Sequence, residues 1–348
     1  MLTKNSIMKT MKTCLALGVI LLISLSFTSC THDDPIPGPQ GIAGLDGTDG
    51  TDGVDGEDGT ASCTECHSES HRDPIERSYL YSGHAAGGAV SYAGSRASCA
   101  QCHSNEGYID YMETGATNPD GYTNPTPISC TTCHDSHSTF DFENDGYDFA
   151  LRSFAAVTLI TDPNYTIDLG DKSNNCISCH QPRRTPPVDD GAGMFAVTSS
   201  HWGPHHGPQS TLLEGIQGAE LTGSIAYPGV GTANHRTGAS CTSCHMGAAS
   251  TIDTGAHSFN PTSTACITCH TNGAPNEVEG LAADMESLAT LLETIGIVHE
   301  DHPVVGTYTI EQAAAAWNYL LIFEDSSNGI HNPEYATALI KNSIESLD

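Results

Sequence analysis

The alternation of apolar and polar positions divides the chain into four stretches. In the first, Lys4, Lys9 and Lys12 precede the apolar run CLALGVILLISLSF, and small residues then lead to Cys30. A charged start, a short apolar segment and small residues before a cut site predict a secretory signal over residues 1–29. The run is too short to span a bilayer as a helix. In the second stretch, 30–60, glycine recurs at every third position from Gly38 to Gly59, and aspartate fills many of the places between. That is the collagen period, yet no proline follows Pro39. The segment therefore reads as an acidic Gly-x-y tether, with a trimerising stalk as the alternative. The third stretch, 61–275, is rich in Gly, Ser, Thr and Pro and has little periodicity. It predicts loops and short helices held by something other than packed apolar side chains. In the fourth, 276–348, Leu281, Met285, Leu288, Leu291, Leu292 and Ile295 recur at helical spacing. Thr309 stands three residues before Gln312, as in a capping box. Asn332 and Pro333 suit an N-cap and a first helical position. Three helices are expected here, forming a C-terminal unit that packs on the preceding region. The fold class expected is mostly α with extensive coil and little β-sheet.

Composition sharpens this. Aromatic residues are only 6% of the 348, thin for a core of ordinary side chains. Residues 30–348 carry a formal charge of −33. So acidic a surface argues against nucleic acid or anionic lipid as a partner, since both need a basic patch.

The chain has 14 cysteines. Cys14 lies in the signal and Cys30 at its end. The remaining twelve form six C-x-x-C pairs: Cys63/Cys66, Cys99/Cys102, Cys130/Cys133, Cys176/Cys179, Cys241/Cys244 and Cys266/Cys269. Each pair is followed at once by histidine, namely His67, His103, His134, His180, His245 and His270. A zinc site has no need of histidine at that position in every pair. A redox dithiol ordinarily occurs once, on a thioredoxin-like frame. C-x-x-C-H is the attachment signal of c-type haem. Two thiols at this spacing reach the two vinyl groups on one porphyrin edge, and the next residue brings an imidazole to the iron. Six covalent haems c are expected, with haem as the core of residues 61–275.

On these motifs the chain resembles the multihaem c-type cytochromes, in particular hexahaem outer-surface lipoproteins. The stretches SGHA, SNNCISCHQPR, HWGPHHGPQ and WNYLLIFEDSSNGIHNPEY also resemble haem-packing segments of the nitrite reductase and hydroxylamine oxidoreductase group, more loosely. The end of the signal resembles a lipobox, which makes Cys30 the lipidated residue. Thr31 after Cys30 resembles outer-membrane sorting, and the acidic THDD resembles a surface-export tag. The resemblance implies an exported outer-membrane lipoprotein exposed at the cell surface, with a periplasm-facing position as the alternative.

A second axial ligand for each iron can be His or Met. Apart from the six proximal histidines and His32, eleven remain, enough for six bis-histidine haems. His84 and His257 sit among small residues, which permit close approach. His331 precedes a helix cap, and His235 lies six residues before Cys241. In HWGPHHGPQ, His205 is preferred, with His206 and His201 behind it. His137 lies three residues from His134, too few to wrap round one porphyrin, so it would serve a different haem. His299 and His302 are expected to be solvated, and His71 is left unassigned. The function expected is electron transfer to other redox proteins or extracellular acceptors, with a homo-oligomer possible through the tether. The alternative is a multihaem reductase of nitrite, hydroxylamine or a sulfur oxyanion. It needs one iron with an open distal side, and Arg183 and Arg184 keep it in view.

Overall fold

The computed structural model describes residues 61–141, 144, 148–275 and 277–348. All belong to one unit, Gly59–Asp348. The signal, Cys30 and the Gly-x-y tether lie outside the described residues.

The fold is mostly helical, with short helices, long coil and three small two-stranded sheets among the described residues. The helices are α1 Ala61–His67, α2 Glu69–Tyr79, α3 Gly83–Ala86, α4 Ala97–His103, α5 Asn105–Thr114, α6 Cys130–Cys133, α7 Asn174–Ile177, α8 Gln209–Glu214, α9 Asn234–Gly238, α10 Cys241–His245, α11 Ser263–Cys266, α12 Leu281–Ile295, α13 Ile310–Asp325 and α14 Pro333–Leu347. Strands β1 Val157–Thr158 and β2 Thr166–Ile167 pair antiparallel, as do β4 Val298–His299 and β5 His302–Pro303. β3 Met194–Val197 pairs antiparallel with β6 Gly306–Thr309.

Apolar packing is concentrated at the C-terminal end. The buried faces of α12, α13 and α14 meet around Leu288, Leu292, Trp317, Leu321, Leu339 and Ile340. Thr309 and Gln312 form the reciprocal capping box that starts α13. The Asn332 side chain caps α14 by accepting from the Tyr335 N–H.

These helices do not close their core alone. Val197, Trp202 and Leu212, from the cysteine-bearing part, are buried in the same cluster. A strap over 217–227 is held across α13 and α14. Asn318 accepts from Ala219 N–H and donates to the Ala219 carbonyl, both at 2.8 Å. Asn342 does the same for Ile225, at 3.0 and 2.8 Å. A Cβ at Gly218 would strike Leu339 and the Tyr335 hydroxyl, and one at Gly223 would strike Asn342. The close crossing therefore requires glycine at both places.

The cysteine-bearing part has a much smaller apolar core, Leu159, Ile167 and Ile177. Several large apolar side chains there lie open beside the motifs. Leu80 and Tyr81 precede His84, Phe140 follows His137, and Ile267 lies between Cys266 and Cys269.

Candidate haem sites

Each C-x-x-C-H unit is built on a single helical turn. Side chains three and four apart share one helix face, so both thiols and the following imidazole start from one side of the turn. Local hydrogen bonds begin these turns. In α6 the Ser129 N–H donates to Thr132 Oγ1 at 2.8 Å, and in α10 the Ser240 N–H donates to Ser243 Oγ at 2.7 Å. Each is the reach-back half of a capping box. None of the twelve motif cysteines is in a disulfide.

Burial of the thiols is uneven along the chain. Cys66 is exposed, as are Cys130 and Cys269, whereas the other motif cysteines are half-buried. The reason for Cys66 is its place in the fold. It lies on α1, the first described helix, which packs on the following α2 at the edge of the unit. Its neighbours Thr64, Glu65 and His67 are exposed as well. The first motif therefore sits toward the rim, whereas both thiols of the second, fourth and fifth motifs are half-buried.

The motifs pack against one another. Gln101, inside the second motif, donates to the carbonyl of Ser178, inside the fourth, at 3.0 Å. The Cys179 thiol in turn contacts the Gln101 carbonyl at 3.6 Å. Ser173, ahead of the fourth motif, accepts from the Thr242 N–H of the fifth at 3.0 Å. Asn175 accepts from the Tyr108 hydroxyl at 2.5 Å, and Asn105 accepts from Thr132 in the third motif at 2.5 Å. The fourth motif thus touches the second and fifth directly, and α5 links it to the third.

Every motif histidine faces one other histidine, drawn from a different part of the chain. His67 faces His137 with ring centres 6.0 Å apart, and His103 faces His205 at 6.0 Å. His180 faces His84 at 6.1 Å, and His270 faces His235 at 6.1 Å. His134 faces His257 at 6.3 Å, and His245 faces His331 at 6.3 Å. Two imidazoles bound to opposite sides of one metal ion at about 2 Å have ring centres about 6.2 Å apart. The separations match that requirement. The rings differ in mutual orientation. Four pairs cross steeply, at 61–77°. The His134/His257 and His245/His331 pairs are nearer parallel, at 32° and 33°.

The second ring nitrogen tests whether these imidazoles suit a metal. When Nδ1–H donates to an oxygen, the tautomer is fixed and the Nε2 lone pair is left for a ligand bond. His134 donates to the Phe149 carbonyl at 2.8 Å, His235 to the Ile330 carbonyl at 2.6 Å and His245 to the Phe259 carbonyl at 2.7 Å. His180 donates to Gln209 Oε1 at 3.1 Å. His137 donates to Asp148 and His331 to Asp325, each at 2.6 Å. In the remaining pair, His205 Nε2 is buried with no hydrogen-bond partner among the described residues. Burial also favours the neutral ring: it pushes His84 and His205 down to about 4, aided by the neighbouring His180 and His206 respectively. It lowers His103, His180, His245 and His257 as well. His331 goes the other way. Burial works against its charge, but the Asp325 hydrogen bond and charge leave it raised. The donor set therefore fits bis-imidazole haem: thiols in pairs, facing imidazoles in pairs, and apolar side chains alongside.

The other histidines are arranged differently. His206 pairs with Glu324 at the surface. His71, His201, His299 and His302 are exposed, the last two on the β4–β5 hairpin. Arg183 lies over the second motif, donating to the Ser98 carbonyl at 3.2 Å. Sequence reasoning missed Asp148, Asp325, Gln209 and Phe259. The Phe259 ring lies 5.0 Å from His84 and 5.9 Å from His257, while its carbonyl holds His245. It therefore touches three of the six pairs. No local signal marks these residues: the imidazole each one holds lies 6 to 29 residues away, at no fixed spacing, and only the folded chain brings the two together.

Fold, motifs and paired histidines together are those expected of a multihaem c-type cytochrome, and comparisons with known proteins support that class. The chain is similar to the C-type polyheme cytochrome OmcB of Geobacter sulfurreducens, 26% identical over 258 residues. It is also 26% identical over 253 residues to the C-type polyheme cytochrome OmcC of the same species. Each match covers 58% of this chain but only 32% and 31% of the relative, so the chain spans about a third of their length. Among solved structures, outer cell wall cytochrome OcwA shares the fold with a TM-score of 0.50 and 18% identity, over 78% of this chain and 50% of that one. No protein-family model matches the chain. No helix among the described residues is long and apolar enough to cross a membrane.

Proposed function

We propose that this protein carries six covalently attached haems c, all with two histidine ligands, and relays electrons at the outer membrane or cell surface. In this reading Cys63/Cys66, Cys99/Cys102, Cys130/Cys133, Cys176/Cys179, Cys241/Cys244 and Cys266/Cys269 form the thioether bonds. Exposed as it is, Cys66 belongs to the set because His67, the next residue, faces His137 at ligand-pair distance. His67, His103, His134, His180, His245 and His270 would hold the irons from the motif side, and His137, His205, His257, His84, His331 and His235 would hold the same irons, respectively, from the facing side. The observation that carries the reading is the pairing itself: six motif histidines face six others at 6.0–6.3 Å.

Haem iron supplies the one-electron chemistry. The chain's own residues supply the rest. Two imidazoles per iron leave no coordination position for a substrate. Carbonyl and carboxylate acceptors on Nδ1 hold the rings in register. The packing of the fourth motif against its neighbours keeps the attachment points close, as a relay needs. A reductase would need a motif histidine that faces no second ligand, and all six face one. Lipidation at Cys30 and the acidic tether would keep the unit near the membrane but clear of it. The acidic charge favours basic redox partners or metal-bearing acceptors.

Intact mass after denaturation tests the count: six haem additions are expected, and any other number contradicts it. Addition of cyanide or nitrite to the oxidised protein tests the ligation. An unchanged optical spectrum is expected, and a prompt spectral shift would contradict full bis-histidine ligation.

A further inference from the structure

Two of the distal histidines donate Nδ1–H to a carboxylate, whereas the other second-nitrogen partners named above are main-chain carbonyls or a glutamine oxygen. His137 donates to Asp148 Oδ1 at 2.6 Å, and His331 to Asp325 Oδ1 at 2.6 Å. Both carboxylates are held in place. Asp148 Oδ1 also accepts from the Ala150 N–H at 2.9 Å, and its Oδ2 accepts from the Ser138 N–H at 2.6 Å and the Ser138 hydroxyl at 2.8 Å. Asp325 has a side chain with no exposed surface and accepts through Oδ2 from the Ser327 hydroxyl and N–H. The two sites lie in unrelated segments, one after the third motif and one at the end of α13.

We propose that Asp148 and Asp325 are potential-setting residues, making the irons held by the first and fifth motifs the two hardest of the six to reduce. The inference rests on the bis-histidine reading above. Its physical basis is twofold. A carboxylate acceptor pulls the Nδ1 proton and makes the imidazole a stronger donor, which favours ferric over ferrous iron. A fixed negative charge behind the ligand acts in the same direction, most strongly where it is shielded from water, as at Asp325. Each iron gains one electron, and the Nδ1 proton stays on the imidazole in both states. The fifth-motif iron should be the lower of the two. Its Asp325 is the more deeply buried, and its rings are near parallel at 33°, against 77° for His67/His137. Near-parallel rings donate into the same iron orbital and reinforce the effect.

Asp→Asn variants of the haem-loaded protein test this. The amide oxygen of asparagine can still accept from Nδ1–H, so the substitution removes the charge and leaves the acceptor. Spectroelectrochemical titration should show one haem equivalent moving from the low-potential end to higher potential in Asp325→Asn. A different equivalent should move in Asp148→Asn, and both in the double variant. If Asp325→Asn fails to fold, the Asp148→Asn shift, at a partly exposed surface site, decides. Electron paramagnetic resonance (EPR) of each oxidised protein separates the two levels of the account. A high-spin ferric signal in the parent protein would overturn the bis-histidine reading. Unmoved titration curves with low-spin signals intact would overturn the carboxylate assignment alone.

Discussion

A single imidazole such as that of His245 has two demands to meet: Nδ1 gives its proton to an oxygen, and Nε2 keeps its lone pair for a ligand bond. His257 shows what depends on the second demand. It is mostly buried opposite His134, with Phe259 against it. Replacing His257 with alanine should turn one iron of six high-spin and open it to cyanide, while five stay low-spin. EPR and cyanide titration of the variant would check this; six low-spin irons in the variant would contradict the assignment. Several of the histidines that face the motif rings carry a sequence signal, namely small neighbours at His84 and His257 and a following cap at His331. His137 faces the first-motif ring of His67 and not the neighbouring His134, in keeping with a three-residue spacing too short to wrap round one porphyrin. The exposure of Cys66 was not legible in the sequence, since C-x-x-C-H reads the same at a rim as in an interior. Asp148 and Asp325 were not legible either. The chain has 42 acidic residues, and only folding selects the two that meet an imidazole.

Among the elements, the three C-terminal helices follow from their 3.6-residue periodicity and their caps. The strap over 217–227 does not, because Gly218 and Gly223 break any pattern and its contacts are made to helices about 100 residues away. Asn318 is fully buried and pairs both main-chain groups of Ala219. Asn318→Ala strands those groups and should cost about 1–3 kcal/mol. Leu292, buried in the same cluster, should cost about 2–5 kcal/mol on truncation to alanine. Both are readable as lower denaturant midpoints with the haem spectrum unchanged. The strap, β3 and Trp202 also tie the helices to the cysteine-bearing part, so this core acts as a clamp on the segments that carry His205 and His235.

At the scale of the whole molecule, apolar burial is uneven, with a large side-chain core at one end and small clusters where the motifs lie. If haem supplies the core around the motifs, chain made without haem attachment should lose hydrogen-exchange and protease protection across 61–190 while α12–α14 stay protected. Equal protection in both parts would contradict this. The acidic charge should show as association with basic redox partners that weakens as salt rises, because exposed charges are screened beyond about 10 Å at 0.1 M. The most direct test of the account is the EPR spectrum of the fully oxidised protein. Six low-spin ferric haems are predicted, in two classes: four of the strongly anisotropic type given by steeply crossed imidazoles, and two of the rhombic type given by the near-parallel pairs His134/His257 and His245/His331. A high-spin ferric component in stoichiometric amount would contradict it.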